Sequence, residues 1–194
     1  MPLLSKDKIN KLIEEQQLVI TPILENNQIG ESTIDLRIGN IFRMSKQTRI
    51  PYIDISDTSI ERFFDTTYRD FGEDFIIYPN QLVLASTFEF IKLPNNIMSH
   101  VYTRSSINRL GINIASVVQP GYSGTLTLEL KNIGHNAIKL TAGMRIVQLV
   151  LFDVESDEFT AYSQIRDAKY IANTEPKISN IYDDKDLKIL RSLN

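Results

Sequence analysis

A mainly β domain, built as a closed or sandwiched arrangement of short strands, is what this chain predicts, and three observations carry the prediction. Short runs of alternating polar and apolar residues recur from Ser32 to Val154, punctuated by Pro79-Asn80, Pro94-Asn95, Pro120-Gly121 and Gly143. Short strands separated by turn signals at such spacing are the pattern of a sandwich or barrel. A helical period is confined to the N-terminus, so helices do not alternate with strands as a doubly wound α/β fold requires. Beyond Val154 the chain turns polar through Glu155, Asp157 and Glu158, which divides it into a β domain over residues 1–154 and a C-terminal arm over residues 155–194. Its 194 residues, 42% of them hydrophobic, suffice for one well-packed core rather than two.

Leu4, Ser5 and Ile9 read as the two halves of a hydrophobic staple around an N-cap, opening a short helix with Leu12 and Ile13 on one face that frays after Gln17. Ser32 to Ile38 alternates Ile34, Leu36 and Ile38 against Thr33, Asp35 and Arg37, and Gly39-Asn40 predicts a turn before a second strand at Ile41–Met44. Residues 45–73 hold no sustained period and predict an excursion with one helical turn near Ile60–Phe64. Further strands are predicted at Phe75–Tyr78, Leu82–Phe88, Met98–Tyr102, Asn113–Val118, Thr125–Asn132, Ala137–Leu140 and Arg145–Val154.

Formal net charge is -3, so the electrostatic pull of a nucleic-acid binder is missing and no nucleic-acid partner is expected. The chain has no cysteine and only His100 and His135 as imidazoles, which removes disulfides and cysteine-ligated zinc. No positively charged start leads into an apolar run, and no stretch approaches the roughly 20 apolar residues of a membrane span. A cytoplasmic protein without membrane contact is expected.

The residues from Arg104 to Glu129 carry the most chemistry. Arg104, Ser105, Ser106 and Arg109, with Ile107 and Asn108 between them, place two guanidinium forks and two hydroxyls in one short turn, a set suited to phosphate oxygens. Ser105 reads as the N-cap of a one-turn helix ended by Gly111. From Thr125 to Lys131 alternation puts Leu126, Leu128 and Leu130 on one face and Thr127, Glu129 and Lys131 on the other, so Glu129 points away from the leucines. Gln148 interrupts the apolar run RIVQLVLF and needs either a neighbouring backbone or a ligand as partner. Asp35 and Arg37, two apart on one strand face, read as a structural ion pair.

These segments together resemble the dCTP deaminase branch of the trimeric dUTPase superfamily, and the likeness runs over nearly the whole chain. STIDLRIGN is similar to the family's early strand, YTRSSINRLG to its phosphate-binding turn, QPGYSGTLTLEL to its hairpin and catalytic strand, and GMRIVQLVLF to the strand that follows. AYSQIRDAKY resembles the deaminase arm, which simple dUTPases lack. The resemblance implies a distorted β-barrel or jelly-roll subunit in a homotrimer, with active sites at subunit boundaries and the arm closing over the nucleotide. It places Arg104, Ser105, Ser106 and Arg109 in the phosphate and catalytic turn, Glu129 at the proton-shuttling glutamate and Thr127 and Leu128 in the nucleobase strand. Gln148 falls on a phosphate-contacting glutamine, and Tyr162, Lys169 and Asn173 fall on nucleotide-binding positions of the arm.

The implied reaction is hydrolytic deamination of dCTP to dUTP and ammonia. No catalytic cofactor is expected, and Mg2+ would accompany the triphosphate as counter-ion. The sequence departs from the family pattern at Thr103, where a glycine usually stands, at Asn173, where the arm usually has a glutamine, and at Gln119, where an aspartate precedes Pro-Gly in a longer hairpin. Gln119 and the shortened hairpin motivate a second expectation, a non-catalytic nucleotide-binding or regulatory homologue that binds dCTP or dTTP without turnover, and dUTP is a further nucleotide the site would accept. Gln148 motivates a third, a dUTP pyrophosphatase or a bifunctional deaminase and pyrophosphatase.

Overall fold

The polypeptide opens with the predicted staple: Ser5 caps helix α1 (Lys6–Glu14), its hydroxyl accepting from the Lys8 N–H at 3.4 Å, while Leu4, Ile9 and Leu12 are buried. The computed structural model describes residues 2–154 and 174–193. Helix α1 stops at Glu14, short of the predicted Gln17, because Gln16 enters the left-handed region at φ 57 and the N–H groups of Gln17 and Leu18 both turn back to the Leu12 carbonyl.

The strands are β1 (Val19–Thr21), β2 (Thr33–Ser45), β3 (Phe64–Tyr68), β4 (Asp74–Ile77), β5 (Leu82–Thr87), β6 (Phe90–Lys92), β7 (Ile97–Thr103), β8 (Ile112–Asn113), β9 (Ala115–Val118), β10 (Ser123–Gly124), β11 (Thr127–Asn132), β12 (Ile138–Thr141) and β13 (Arg145–Asp153). They form a curled sheet in the order β8-β11-β5-β2-β13-β7-β9, with β3 on β2 and two small sheets, β1-β6-β10 and β12-β4. A 3₁₀ turn at Ile60–Phe63 matches the helical turn predicted for the excursion. Helix α2 (Ser105–Asn108) follows β7, and helix α3 (Lys185–Ser192) lies near the C-terminus. Among the described residues no helix is long and apolar enough to cross a membrane.

Strand β2 corrects the predicted turn at Gly39-Asn40. It runs unbroken for 13 residues, pairing with β13 over Thr33–Arg37 and with β5 at Ile38 and Phe42–Met44, with a register shift between. Gly39 sits where β2 crosses β5: a Cβ there would lie 2.9 Å from Ser86 Oγ and 3.1 Å from the Ser86 carbonyl. The glycine therefore serves close approach of two backbones rather than a turn. The predicted strand Asn113–Val118 is divided into β8 and β9, on different neighbours, and the predicted Thr125–Asn132 begins at Thr127.

The core lies inside this curl. Ile34, Leu36 and Ile38 of β2, Leu128 and Leu130 of β11, and Leu149 and Leu151 of β13 are fully buried, and Phe42 stacks on Phe75 with centroids 4.0 Å apart. A second cluster forms outside it, where Ile178 of the C-terminal segment packs on Ile60 and Leu84 beside Phe64, Leu82 and Ile181. This part of the C-terminal arm, polar in composition, is held against the barrel.

Glu89, in the β5–β6 connection, has no exposed surface. Its Oε2 accepts the Arg37 backbone N–H at 2.8 Å and its Oε1 accepts the Gln28 amide at 2.9 Å. Burial pushes its carboxyl above the ordinary carboxylate range, against the pull of the Arg37 and Gln28 donors. Between the ordinary and the raised value the folded chain holds more protons than the unfolded one, so stability falls as pH rises through that window. Denaturant unfolding across pH is expected to show this slope in the parent and to lose it in Glu89→Gln; identical profiles for the two would contradict the assignment.

Candidate active site

Glu129 stands on β11, where the polar face opens outward and Leu128 and Leu130 close on the core. It lines a cavity of about 580 Å³ together with Gln119, Thr127 and Tyr122, an apolar wall from Ile53, Ile55, Ile60, Phe64 and Leu84, and the C-terminal residues Lys177 to Ser179. Leu128 has no exposed surface and does not line the cavity, so the binding role that the resemblance implies for it has no accessible atom in the single chain. Gln119 is exposed at the hairpin, where its carbonyl accepts the Tyr122 N–H at 3.2 Å and Gly121 takes φ 74.

The predicted phosphate turn is a separate feature of the same chain. Arg104, rather than Ser105, is the N-cap of α2, which spans Ser105–Asn108 and is anchored by buried Ile107. Ser105, Ser106, Asn108 and Arg109 are exposed. Gly111 closes the turn at φ +105, with a would-be Cβ 2.9 Å from the Gly134 nitrogen, a position only glycine fills. Arg104 Nε lies 3.3 Å from Asp35 Oδ2, Gln148 Nε2 donates to Asp35 Oδ1 at 3.2 Å, and Arg145 Nη1 lies 3.6 Å from Asp35 Oδ2. Gln148 thus finds a side-chain partner and not a neighbouring backbone.

The predicted Asp35–Arg37 pair does not form. Arg37 instead donates to Glu25 Oε1 at 2.7 Å and Gln28 Oε1 at 3.0 Å and approaches Glu89, while Asp35 serves Arg104 and Arg145. Two residues of one strand share a face, yet their partners come from other strands and loops. Sequence reasoning missed Glu25, Arg145 and Lys177; Arg145, a charge opening the apolar run of β13, was the one with a visible signal. Thr103 Oγ1, at the foot of the turn, is buried without a hydrogen-bond partner.

Within one chain, none of Arg104, Ser105, Ser106, Arg109 and Gln148 lines the Glu129 cavity. Tyr162, Lys169 and Asn173 lie outside the described residues.

A curled, mainly β subunit with a carboxylate cavity and an arginine and serine turn is the dUTPase type of jelly roll. The chain matches the family model described as dCTP deaminase-like over residues 3–154, and it belongs to that family. It is 38% identical over 192 residues to the dUMP-forming dCTP deaminase of Methanosphaera stadtmanae, covering 96% of this chain and 98% of that one. It is 39% identical over 194 residues to the dUMP-forming dCTP deaminase of Methanothermobacter thermautotrophicus, covering 97% and 98%. A dCTP deaminase of Natronomonas pharaonis is 34% identical over 189 residues, covering 95% and 97%. Among solved structures, the 2'-deoxycytidine 5'-triphosphate deaminase of Agrobacterium tumefaciens shares the fold with a TM-score of 0.61 at 20% identity, over 77% of this chain and 48% of that longer one. The chain is an enzyme of this family.

Placement makes a stability prediction. Leu128→Ala, which empties a fully buried site, is expected to cost about 2–5 kcal/mol in denaturant unfolding. Glu129→Gln, on the cavity side of the same strand, is expected to stay within about 0.5 kcal/mol of the parent.

Proposed function

We propose that this enzyme hydrolyses the exocyclic C–N bond of dCTP, with Glu129 as the proton shuttle, and carries the nucleotide on to dUMP and pyrophosphate. The observation that carries the reading is the placement of Glu129 in a largely apolar cavity beside Thr127 and Gln119. Glu129 takes a proton from a water aimed at C4 of cytosine, the hydroxide adds there, the carboxyl gives the proton to the amino nitrogen so that the C4–N bond breaks and ammonia leaves, and the remaining hydroxyl proton passes to N3 as the C4 carbonyl forms. One carboxylate serves both directions, so one acid in the cavity suffices. The deamination needs no zinc in this reading: zinc deaminases build their metal site with cysteines, and this chain has none.

The triphosphate is assigned to Arg104, Ser105, Ser106, Arg109 and Gln148. Because that turn and the Glu129 cavity are separate in one chain, the reading requires a homotrimer in which a neighbour's turn reaches the cavity and its Arg109 helps order the water. Magnesium fits as a counter-ion held by phosphate oxygens and water, since both oxygens of Asp35 are already engaged by Gln148, Arg104 and Arg145.

The final product is revised from the dUTP expected on sequence. Five relatives at 36–39% identity bear the dUMP-forming name, and the resemblance puts Gln148 at a phosphate-contacting position of dUTPases and bifunctional deaminases. Termination at dUTP is the second reading, favoured by Gln119, because the resemblance puts there the aspartate that orients water for pyrophosphate release in dUTPases.

Purified protein with dCTP and magnesium is expected to release ammonia and pyrophosphate in equal amounts and to yield dUMP. Accumulating dUTP without pyrophosphate would establish the second reading. Glu129→Gln is expected to lower ammonia release by at least about 100-fold, the scale of a lost general acid-base group, while the oligomer on a sizing column is unchanged. Ammonia release that survives this substitution would remove Glu129 from the mechanism.

A further inference from the structure

The lining of the Glu129 cavity is mostly aliphatic and aromatic, and among the described residues that form it only Glu129 and Lys177 carry a formal charge. Lys177 is brought there by three attachments of its own short segment. Its backbone N–H donates to Thr127 Oγ1 at 3.2 Å, one position along the polar face of β11 from Glu129. The next residue, Ile178, is buried against Ile60 and Leu84. Two residues earlier, Glu175 lies 4.0 Å from Arg43 on β2. The segment is therefore part of the cavity wall, and Lys177 stands on its exposed, open side.

Among the described residues no carboxylate lies within ion-pair distance of the Lys177 ammonium, Glu129 included. Its three N–H groups can only donate. Beside a weakly polar wall a charged donor gains more from an oxygen acceptor than it would in water. Gln119 changes the same wall in the same sense. An aspartate there accepts and asks the ligand for a hydroxyl or amino proton, whereas an amide also donates. An amide and an ammonium together make this side of the cavity complementary to a ligand that presents lone pairs.

Resting on the reading of the cavity as a pyrimidine deoxynucleotide site, we propose that Lys177 is a specificity-determining substrate-binding residue whose ammonium donates to an acceptor oxygen on the nucleoside half of the substrate. That oxygen is the pyrimidine carbonyl or the sugar 3'-oxygen, chemically alike as acceptors. The arm thereby contributes a fixed binding group from the described end of the chain. The proton transfer stays with Glu129.

The test uses the full-length assembly in a Glu129→Gln background, so that bound nucleotide is not consumed, and titrates dCTP and 2',3'-dideoxy-CTP calorimetrically in the presence of magnesium. Adding Lys177→Met, which keeps the aliphatic stem, is expected to weaken dCTP binding about tenfold or more, the scale of a lost hydrogen bond to a charged group. Lys177→Arg is expected to recover most of that loss, which a merely structural effect of position 177 on the segment would not predict for so bulky a replacement. An equal loss with the dideoxy nucleotide assigns the contact to the base carbonyl. A dideoxy nucleotide that binds weakly and is indifferent to Lys177→Met assigns it to the 3'-oxygen. If dCTP binds the parent and Lys177→Met stays within twofold of it, the Lys177 assignment alone is overturned; a parent that binds no pyrimidine nucleotide overturns the functional reading and this assignment together.

Discussion

The fold turns on one buried contact, the carboxylate of Glu89 on the backbone N–H of Arg37. Arg37 is the last residue of β2 paired with β13 before the strand moves on to β5, and a buried N–H at such a change of partner needs a new acceptor. Glu89 supplies it, while the Phe88 N–H returns to the Arg37 carbonyl at 2.9 Å. Burying an acid there is offset by the Gln28 amide and the Arg37 guanidinium. The same guanidinium holds Glu25, Glu25 approaches Arg145, Arg145 approaches Asp35, and Asp35 approaches Arg104. Charges alternate in sign along the whole path. The solvent-facing turn is in this way built on the same network that lets β2 belong to two parts of the curled sheet.

Such a network bears on how the turn can bind an anion. Arg104 is engaged by Asp35 and by the Arg145 carbonyl, whereas Arg109 is exposed. In the proposed reading an incoming phosphate would meet one guanidinium already held in place and another that is exposed, along with two exposed hydroxyls. Orientation before binding lowers the ordering cost of the contact. The separation of this turn from the Glu129 cavity in a single chain has a related consequence: catalysis in the proposed reading depends on assembly, so loss of the oligomer would act on activity even where the subunit keeps its fold.

What was legible in the sequence was local. The alternation from Thr127 to Lys131 placed Glu129 and Leu128 on opposite faces because a strand's period of two needs no tertiary information. The Leu4, Ser5 and Ile9 staple was legible for the same reason. Gly39 was not, since glycine marks both turns and close crossings, and only the position of Ser86 tells them apart. Asp35 and Arg37 were paired on proximity along a strand, while their partners lie up to 113 residues away in sequence. Strands β1, β6 and β10 have too few residues to show a period, and β3 has an exposed, mostly polar face. Glu89 and Lys177 were invisible because what distinguishes them is burial and docking, neither of which leaves a local pattern.

Gln119 raises the question of how a chain lacking the hairpin aspartate would release pyrophosphate. In the proposed reading deamination makes and breaks bonds at carbon and nitrogen and needs a group that accepts and returns a proton, the role given to Glu129. Phosphoryl transfer makes a different demand, because its loose transition state leaves little covalent work to the protein and rests on positioning and charge stabilisation. A water held by an amide oxygen is positioned without being deprotonated, and in the proposed reading the negative charge that develops would fall on phosphate oxygens assigned to the arginine turn. An amide at 119 is thus a heavier handicap for a mechanism needing a strong base than for one needing an aligned water. On that ground the dUMP-forming relatives and the Gln119 hairpin are compatible, and a slower second step than first is the kinetic form their compatibility would take.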